Sequence, residues 1–501
     1  MTPFPTPPDS FNMAAHVLRH AADLPDKIAL AVLGPARAER WSYSRLEAAV
    51  RGTATGLLRV GLEPGDRLLM RLGNTPDFPV TYLGAIAAGI VPVPTSAQLT
   101  GPEATKIAHE IAPKAIAAAD GVALPDHPAP VLTTAELRAF HDLPAAPYDL
   151  GDPHRPAYII YTSGTSGQPR AVVHAHRAVW ARQMMWNGWY GLRDTDRLLH
   201  AGAFNWTYTL GTGLMDPWAI GATALIPAPG TEARALPLLL KRHDATIFAA
   251  APGVYRQLLR GDIPAMPRLR HGLSAGEKLP EETRARWQAA TGTEVHEAYG
   301  MSECSTFISG SPDHPAPAGT LGRIQPGRHV CLWADGTPVA PGTPGVIAVH
   351  RDDPGLMLGY LDRPEETAAR FEGDWFLTGD LGQEGPDGAI AYLGRNDDMM
   401  NAGGYRVSPV EVEEALCQHP GIDEAAACEV RVKADTSVIA TFYTGPEALP
   451  DEALAAFAAE RLARYKCPRL FVRVDALPRG ANNKLLRKAL KTDWETRNGQ
   501  A

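Results

Sequence analysis

Between Trp41 and about Val93 the apolar positions fall first in a helical stretch, Leu46-Glu47-Ala48-Ala49-Val50. Past the turn Pro64-Gly65-Asp66-Arg67 they fall in short continuous runs, Leu68-Leu69-Met70 and Gly89-Ile90-Val91-Pro92-Val93. Short apolar strands alternating with helical stretches predict an α/β sheet covered on both faces. The rhythm returns at Ala222-Thr223-Ala224-Leu225-Ile226 and Ala245-Thr246-Ile247-Phe248-Ala249, separated by a helix over 236–242, so a repeated α/β subdomain is expected. No fixed-period repeat of the solenoid kind is present.

After about Gly319 the texture changes to short strands punctuated by Pro and Gly, at 329–333 and 345–350, which suits a small β-rich subdomain. A second change comes at Gly394-Arg395-Asn396-Asp397-Asp398. Beyond it, Ser408 is a good N-cap, Pro409 a good first helical residue, and Glu411 completes the spacing of a capping box, with a stop expected before Pro420-Gly421. Alternating runs at 424–432 and 438–443, a helix over about 451–464 and a basic helix from Lys484 complete an α+β unit of roughly a hundred residues, a size that suits an independent lid. The predicted fold is therefore α/β. A large N-terminal domain over 1–396 holds two α/β subdomains and a β-rich one, and a small α+β domain over 397–501 follows.

Composition narrows the function classes. With 501 residues, 45% apolar and 21% charged, the chain reads as a folded globular protein of more than one domain. Its 48 basic and 56 acidic side chains give a net charge of −8, which argues against a nucleic acid partner but leaves a nucleotide open. The five cysteines, Cys304, Cys331, Cys417, Cys428 and Cys467, are odd in number and lack a C-x-x-C pair, so neither a disulfide framework nor a zinc site is indicated. The N-terminus lacks a basic start and an apolar core, and no apolar run is long enough for a membrane span, so a cytoplasmic location without membrane attachment is expected.

The chemistry begins at Tyr158-Ile159-Ile160-Tyr161, a predicted strand that runs into Thr162-Ser163-Gly164-Thr165-Ser166-Gly167-Gln168-Pro169-Arg170. Amides freed by Gly, hydroxyl donors and a closing cation make a concavity for phosphate oxygens. The spacing is not that of a Walker A loop. A Ser/Gly stretch alone is as consistent with a flexible turn; its place directly after an apolar strand favours phosphate.

This loop resembles that of the adenylate-forming superfamily of acyl-CoA synthetases, peptide-synthetase adenylation domains and luciferases. Ordered matches follow at Ser274-Ala275-Gly276-Glu277, Tyr299-Gly300-Met301-Ser302-Glu303, Gly355-Leu356-Met357-Leu358-Gly359-Tyr360, Thr378-Gly379-Asp380, Gly394-Arg395-Asn396-Asp397-Asp398, 403–413 and 477–484, and they span nearly the whole chain. The resemblance implies an acid-thiol ligase that activates a carboxylate as acyl-AMP and passes the acyl group to coenzyme A, releasing AMP and pyrophosphate. It also implies the roles of individual residues. The loop grips the β- and γ-phosphates of ATP, Glu303 and Thr162 hold Mg²⁺, Gly276, Glu277, Tyr299, Gly300 and Ser302 line the nucleotide slot, and Asp380 takes the ribose hydroxyls. Lys484 steadies charge that builds during adenylation, as a preorganised donor does. Arg395 and Arg406 serve the nucleotide and the domain interface, Gly403 and Gly404 face coenzyme A, and Asp397 is the hinge on which the small domain turns between half-reactions. Without the resemblance, Asp380 is an ordinary turn aspartate, Glu303 a surface acid, Lys484 a solvated helix-start lysine and 396–398 a polar turn.

Arg170 stands where the family has lysine, and Asn483 where it has glycine before the late lysine. The stretch 202–211 and Ser274-Ala275-Gly276-Glu277-Lys278-Leu279-Pro280 are most similar to benzoate-CoA ligases among the family. By that similarity Tyr208, Ala275, Thr306 and Phe307 face the acyl group. Those ligases tend to have histidine where Thr306 stands, so the expected acid is small and compact, aromatic or short branched. The main alternative is a stand-alone adenylation enzyme that loads a carrier protein's phosphopantetheine arm; a luciferase-like oxygenase and a regulatory nucleotide-binding module fit less well.

Overall fold

The computed structural model describes residues 6–34, 37–162, 169–396, 398–402, 405–433, 436–480 and 485–498, with only the backbone described at 401, 402, 405, 406, 433 and 436. The chain packs as two units, residues 1–329 with 350–374 and residues 330–349 with 375–501.

The first unit holds the α/β sheets that the apolar runs predict. Its nine-stranded sheet runs Arg323–Ile324, Ser305–Ser309, Val295–Met301, His271–Ala275, Ile247–Ala250, Arg197–His200, Thr223–Pro227, Ile28–Leu33, Ala38–Ser42 in space. The six strands from Val295–Met301 to Ile28–Leu33 are parallel, and the strands at the two ends pair antiparallel. All five residues of His271–Ala275 are buried, as a parallel sheet covered on both faces requires. A second sheet, wholly parallel, has the order Val91–Pro94, Arg67–Arg71, Ala115–Ala118, Val131–Thr133. The helix Tyr43–Arg59 packs on Asp77–Ala87 so closely that a Cβ on Gly84 would lie 2.8 Å from Thr53, which fixes glycine there.

A three-stranded antiparallel sheet, Gly359–Tyr360, Arg170–Ala175 and Pro156–Thr162, carries the phosphate-loop strand. Thr162 and Arg170 are cross-strand partners at its end.

In the second unit Val330–Ala334, Pro344–His350, Trp375–Glu384 and Ile390–Arg395 form the expected β-rich sheet. The remainder is α+β: the sheet of Glu424–Lys433, Thr436–Thr444 and Leu470–Arg473 packs with the helices Pro409–Leu416, Asp451–Ala459 and Arg487–Asn498. Ser408 caps its helix as expected, its hydroxyl accepting from the Glu411 amide at 3.3 Å. The Glu411 carboxylate, however, takes Lys466 at 2.6 Å, so the side chain expected to complete the capping box makes an ion pair. The helix expected over 451–464 ends at Ala459, ahead of the sequence Lys466-Cys467-Pro468. No helix of the described residues is long and apolar enough to cross a membrane.

Candidate active site

The strand Val295–Met301 turns sharply into Ser305–Ser309, and Glu303 sits in that turn. Gly300 lies opposite Thr306, where a Cβ would collide with the Ser305 carbonyl, so close backbone approach demands glycine. Ser305 holds φ at +60, a left-handed conformation that costs a non-glycine residue about 1–2 kcal/mol. Such strain persists only where the surroundings over-determine it. Two arginines do this. Arg182 donates through Nη1 to the Ser305 hydroxyl at 2.6 Å. Arg328 donates to the Cys304 carbonyl at 3.0 Å and to the Thr306 carbonyl at 2.8 Å, gripping the backbone on either side of Ser305.

Both arginines are themselves fixed by buried carboxylates. Arg328 and Asp353 have fully buried side chains and pair in two-pronged fashion at 2.9 Å. Burial pushes the Asp353 carboxyl up, but Arg328 and the amides of His329 and Gly355 outweigh it and hold the group below the usual carboxylate range. Burial drives the neighbouring Cys304 thiol up, which makes it an inert thiol rather than a nucleophile. Arg182 pairs with Asp216 at 2.6 Å, and Asp216 also accepts from the Tyr190 hydroxyl at 2.7 Å.

Glu303 is 8% exposed, and its Oε1 accepts from the Tyr360 hydroxyl at 2.9 Å. Its carbonyl takes the Met357 amide at 2.8 Å. Tyr360 in turn lies under Arg170, whose guanidinium is 5.1 Å from the ring centroid and pairs with Glu366 at 3.0 Å. Tyr360 thus joins the phosphate-loop strand pair to the turn acid. Burial and the nearby Glu303 raise the Tyr360 phenol, so it stays a donor. His174, on the strand Arg170–Ala175, stacks on Tyr158 and bonds through Nε2 to the Ser302 carbonyl at 2.7 Å. Burial lowers His174 to about 4, so the ring is neutral near pH 7 and Nε2 carries the proton.

Gly276 directly follows the central strand His271–Ala275 with φ at +96, and a Cβ there would lie 2.7 Å from the Trp206 ring. Glu277 beside it is half-buried. Tyr208 is wedged among Trp206, Trp189 and His200 and spends its hydroxyl on the Leu273 carbonyl at 3.1 Å, while Ala275 is buried in the same apolar cluster. The Thr306 hydroxyl donates to the Met185 sulfur. Phe307 is fully buried, edge-on to Tyr299 at 5.4 Å and capped by Arg328.

The first unit therefore brings Thr162, Arg170, Tyr299, Gly300, Ser302, Glu303 and Thr306 onto one connected set of strands and turns. In the second unit Asp380 receives the Tyr392 hydroxyl and Arg395 Nη1, each at 3.3 Å, and its amide donates to the Thr378 hydroxyl at 3.1 Å. Ser163, Gly164, Thr165, Ser166, Gly167, Asp397, Gly403, Gly404 and Lys484, and the side chain of Arg406, lie outside the described residues. Among the described residues no group of three or more His, Cys, Asp or Glu forms a metal cluster. The oxygens of Glu303 and Thr162 suit a hard cation such as Mg²⁺, which takes few protein ligands when phosphates supply the rest. Sequence reasoning missed Arg182, Arg328, Asp353 and Glu366. Tyr360 stands in a quoted motif, and that was its only signal.

A family profile described as AMP-binding enzyme matches residues 17–361, and one described as AMP-binding enzyme C-terminal domain matches 411–484. A benzoate-CoA ligase of Thauera aromatica is 33% identical, covering 90% of this chain and 91% of its own. The human mitochondrial acyl-coenzyme A synthetase ACSM2A is 30% identical over 97% of this chain and 92% of its own. The crystal structure of a benzoate CoA ligase from Burkholderia xenovorans LB400 superposes with a TM-score of 0.85 at 30% identity, covering 96% of this chain and all of that one. The chain belongs to the AMP-binding enzyme family. It is an AMP-forming acid-CoA ligase with a large N-terminal and a small C-terminal domain.

Proposed function

We propose that this ligase activates a small carboxylic acid, aromatic or short branched, and that it does so with Mg²⁺·ATP. The supporting observation is the Arg170–Tyr360–Glu303 connection, which ties a cation at the phosphate loop to an oxygen donor suited to the metal. A carboxylate oxygen attacks the α-phosphorus of ATP, the bond to pyrophosphate breaks, and the acyl-AMP forms. The thiol of coenzyme A then adds to the acyl carbon as its proton leaves, and AMP departs with the carboxylate oxygen. Glu303 and Thr162 would hold the metal, which would supply charge neutralisation for the phosphates. Arg170 adds fixed positive charge at the loop, and the slot residues Gly276, Tyr299 and Gly300 exclude water around the nucleotide.

Substrate width is set by packing. Trp206 packs against Gly276, and Tyr208 and Phe307 are held by their neighbours, which supports rigid walls beside Ala275 and Thr306. The similarity to ligases named for benzoate supports an acid of that size. Lys484 at the reacting carboxylate, Gly403 and Gly404 at coenzyme A and a small domain that turns at Asp397 complete the reading on the strength of the resemblance. The test is release of AMP and pyrophosphate with purified protein, ATP, coenzyme A and a panel of small acids. Turnover confined to long-chain acids, or undiminished by removing Mg²⁺, contradicts the proposal.

A further inference from the structure

Arg182 joins the two walls assigned to the acyl group. One wall is the helix Thr207–Leu210, which carries Tyr208 and runs on through the wide π-turn Gly211–Met215 into Asp216–Ala219. The other is the turn that carries Ser305 and Thr306. Arg182 is buried and reaches both. Its Nε and Nη2 donate to the two oxygens of Asp216 at 2.9 and 2.6 Å, and its Nη1 donates to the Ser305 hydroxyl at 2.6 Å. A Cβ on Gly211 would collide with the guanidinium, so the backbone that continues the Tyr208 helix rests directly on Arg182. The same segment takes hold of Thr306, whose hydroxyl donates to the sulfur of Met185, three residues beyond Arg182.

Stability alone does not account for a charged group here, because a buried ion pair is often replaced by apolar residues at no cost. Shape does. A planar guanidinium fixed through all three nitrogens bonds in set directions, which an aliphatic side chain of like size does not. Tyr190 and Thr212 complete the lock: the Tyr190 hydroxyl donates to Asp216 at 2.7 Å and lies 2.9 Å from the Thr212 hydroxyl. Tyr190 closes a second π-turn, Trp186–Tyr190. The wide winding of both helical segments thus falls where this cluster sits, and such turns are frequent at functional sites. On the opposite wall, Ser305 keeps its left-handed φ of +60 with its hydroxyl on Arg182.

We propose that Arg182 is a positioning residue that sets the width of the acyl region, bracing the Tyr208 helix against the turn of Ser305 and Thr306. The inference rests on the small-acid reading above. Two variants remove the brace in different ways. Ser305→Gly deletes the hydroxyl and keeps the backbone, since glycine adopts a positive φ freely. Arg182→Met with Asp216→Leu replaces the pair by apolar groups, and Tyr190 keeps Thr212 as a partner. The assay is AMP release with two pairs of acids that differ by one methylene, benzoate with para-methylbenzoate and isobutyrate with isovalerate. The quantity read is the bulky-to-compact ratio of kcat/KM within each pair. Both acids of a pair meet the same ATP, metal and fraction of folded enzyme, so a general loss of activity or stability cancels in the ratio. A pocket wall discriminates one methylene by about 10–200-fold, and a wall that has lost its brace gives way. The ratio is expected to rise by about tenfold in at least one pair for both variants. Ratios unmoved in both pairs, in either variant, overturn the brace. A wild type that releases no AMP with any of the four acids instead overturns the small-acid reading, and the inference with it.

Discussion

Tyr360 and the two buried arginines decide how firmly Glu303 is held, and each carries a separable expectation. Tyr360→Phe keeps the ring under Arg170 and removes only the 2.9 Å bond to Glu303. A hydrogen bond to a charged group is worth about 1.5–3 kcal/mol. The variant is expected to need roughly tenfold more Mg²⁺ for half-maximal rate, read from Mg²⁺ titrations of AMP release; an unchanged Mg²⁺ midpoint separates Tyr360 from metal handling. Asp353→Ala leaves Arg328 buried without its counter-charge. Breaking one partner of a buried pair costs about 3–5 kcal/mol, whereas replacing both by apolar groups is often near neutral. Denaturant unfolding should therefore show Asp353→Ala far less stable than Arg328→Met with Asp353→Leu. If the double variant is as unstable as the single one, Arg328 matters through its carbonyl bonds rather than through its charge.

At the scale of strands and helices, the strand Val295–Met301 carries a pH-dependent element in Glu297. Burial raises this carboxyl to about 7, against the opposing pull of Arg284, which lies 3.1 Å away, and of the Leu279 amide. Because the folded value lies above the unfolded one, the native state binds the extra proton, and stability falls as pH rises from the ordinary glutamate range through about 7. The slope reaches at most about 1.4 kcal/mol per pH unit. Unfolding curves taken across that range should show the wild type losing stability relative to Glu297→Gln, whereas parallel profiles mean Glu297 is already ionised below it. Elements of this kind were legible in different degrees. The helix 236–242, the central strands and the Ser408 cap follow from local pattern, because period, cap and turn chemistry are all within a few residues. Arg328 with Asp353 and Arg182 with Asp216 are 25 and 34 residues apart, and nothing local announces such pairs. The partner of Glu411 was misread for the same reason, since Lys466 is 55 residues away and competes for the same carboxylate. Among the candidate site residues, Glu303 and Asp380 were proposed through motif resemblance, while Glu366 left no trace in the sequence.

For the whole molecule, the proposed reading has the two-step reaction make conflicting demands on one small domain, with Lys484 and the pair Gly403 and Gly404 serving different steps. Lys484→Ala is expected to slow adenylation by about a hundredfold or more, the scale for losing one preorganised donor, while leaving thioester formation from supplied acyl-AMP nearly intact. A bulky side chain at Gly403 is expected to block thioester formation and spare pyrophosphate exchange. Equal losses in both steps for both variants contradict the division of labour. Beneath that division lies the central claim that the carboxylate becomes an acyl-AMP, and oxygen tracing tests it most directly. With a small acid whose carboxylate carries heavy oxygen, ATP and coenzyme A, mass spectrometry should find one heavy oxygen in each AMP released, because the attacking carboxylate oxygen leaves with AMP when the thioester forms. Heavy oxygen recovered in inorganic phosphate alongside ADP, with none in AMP, contradicts the account.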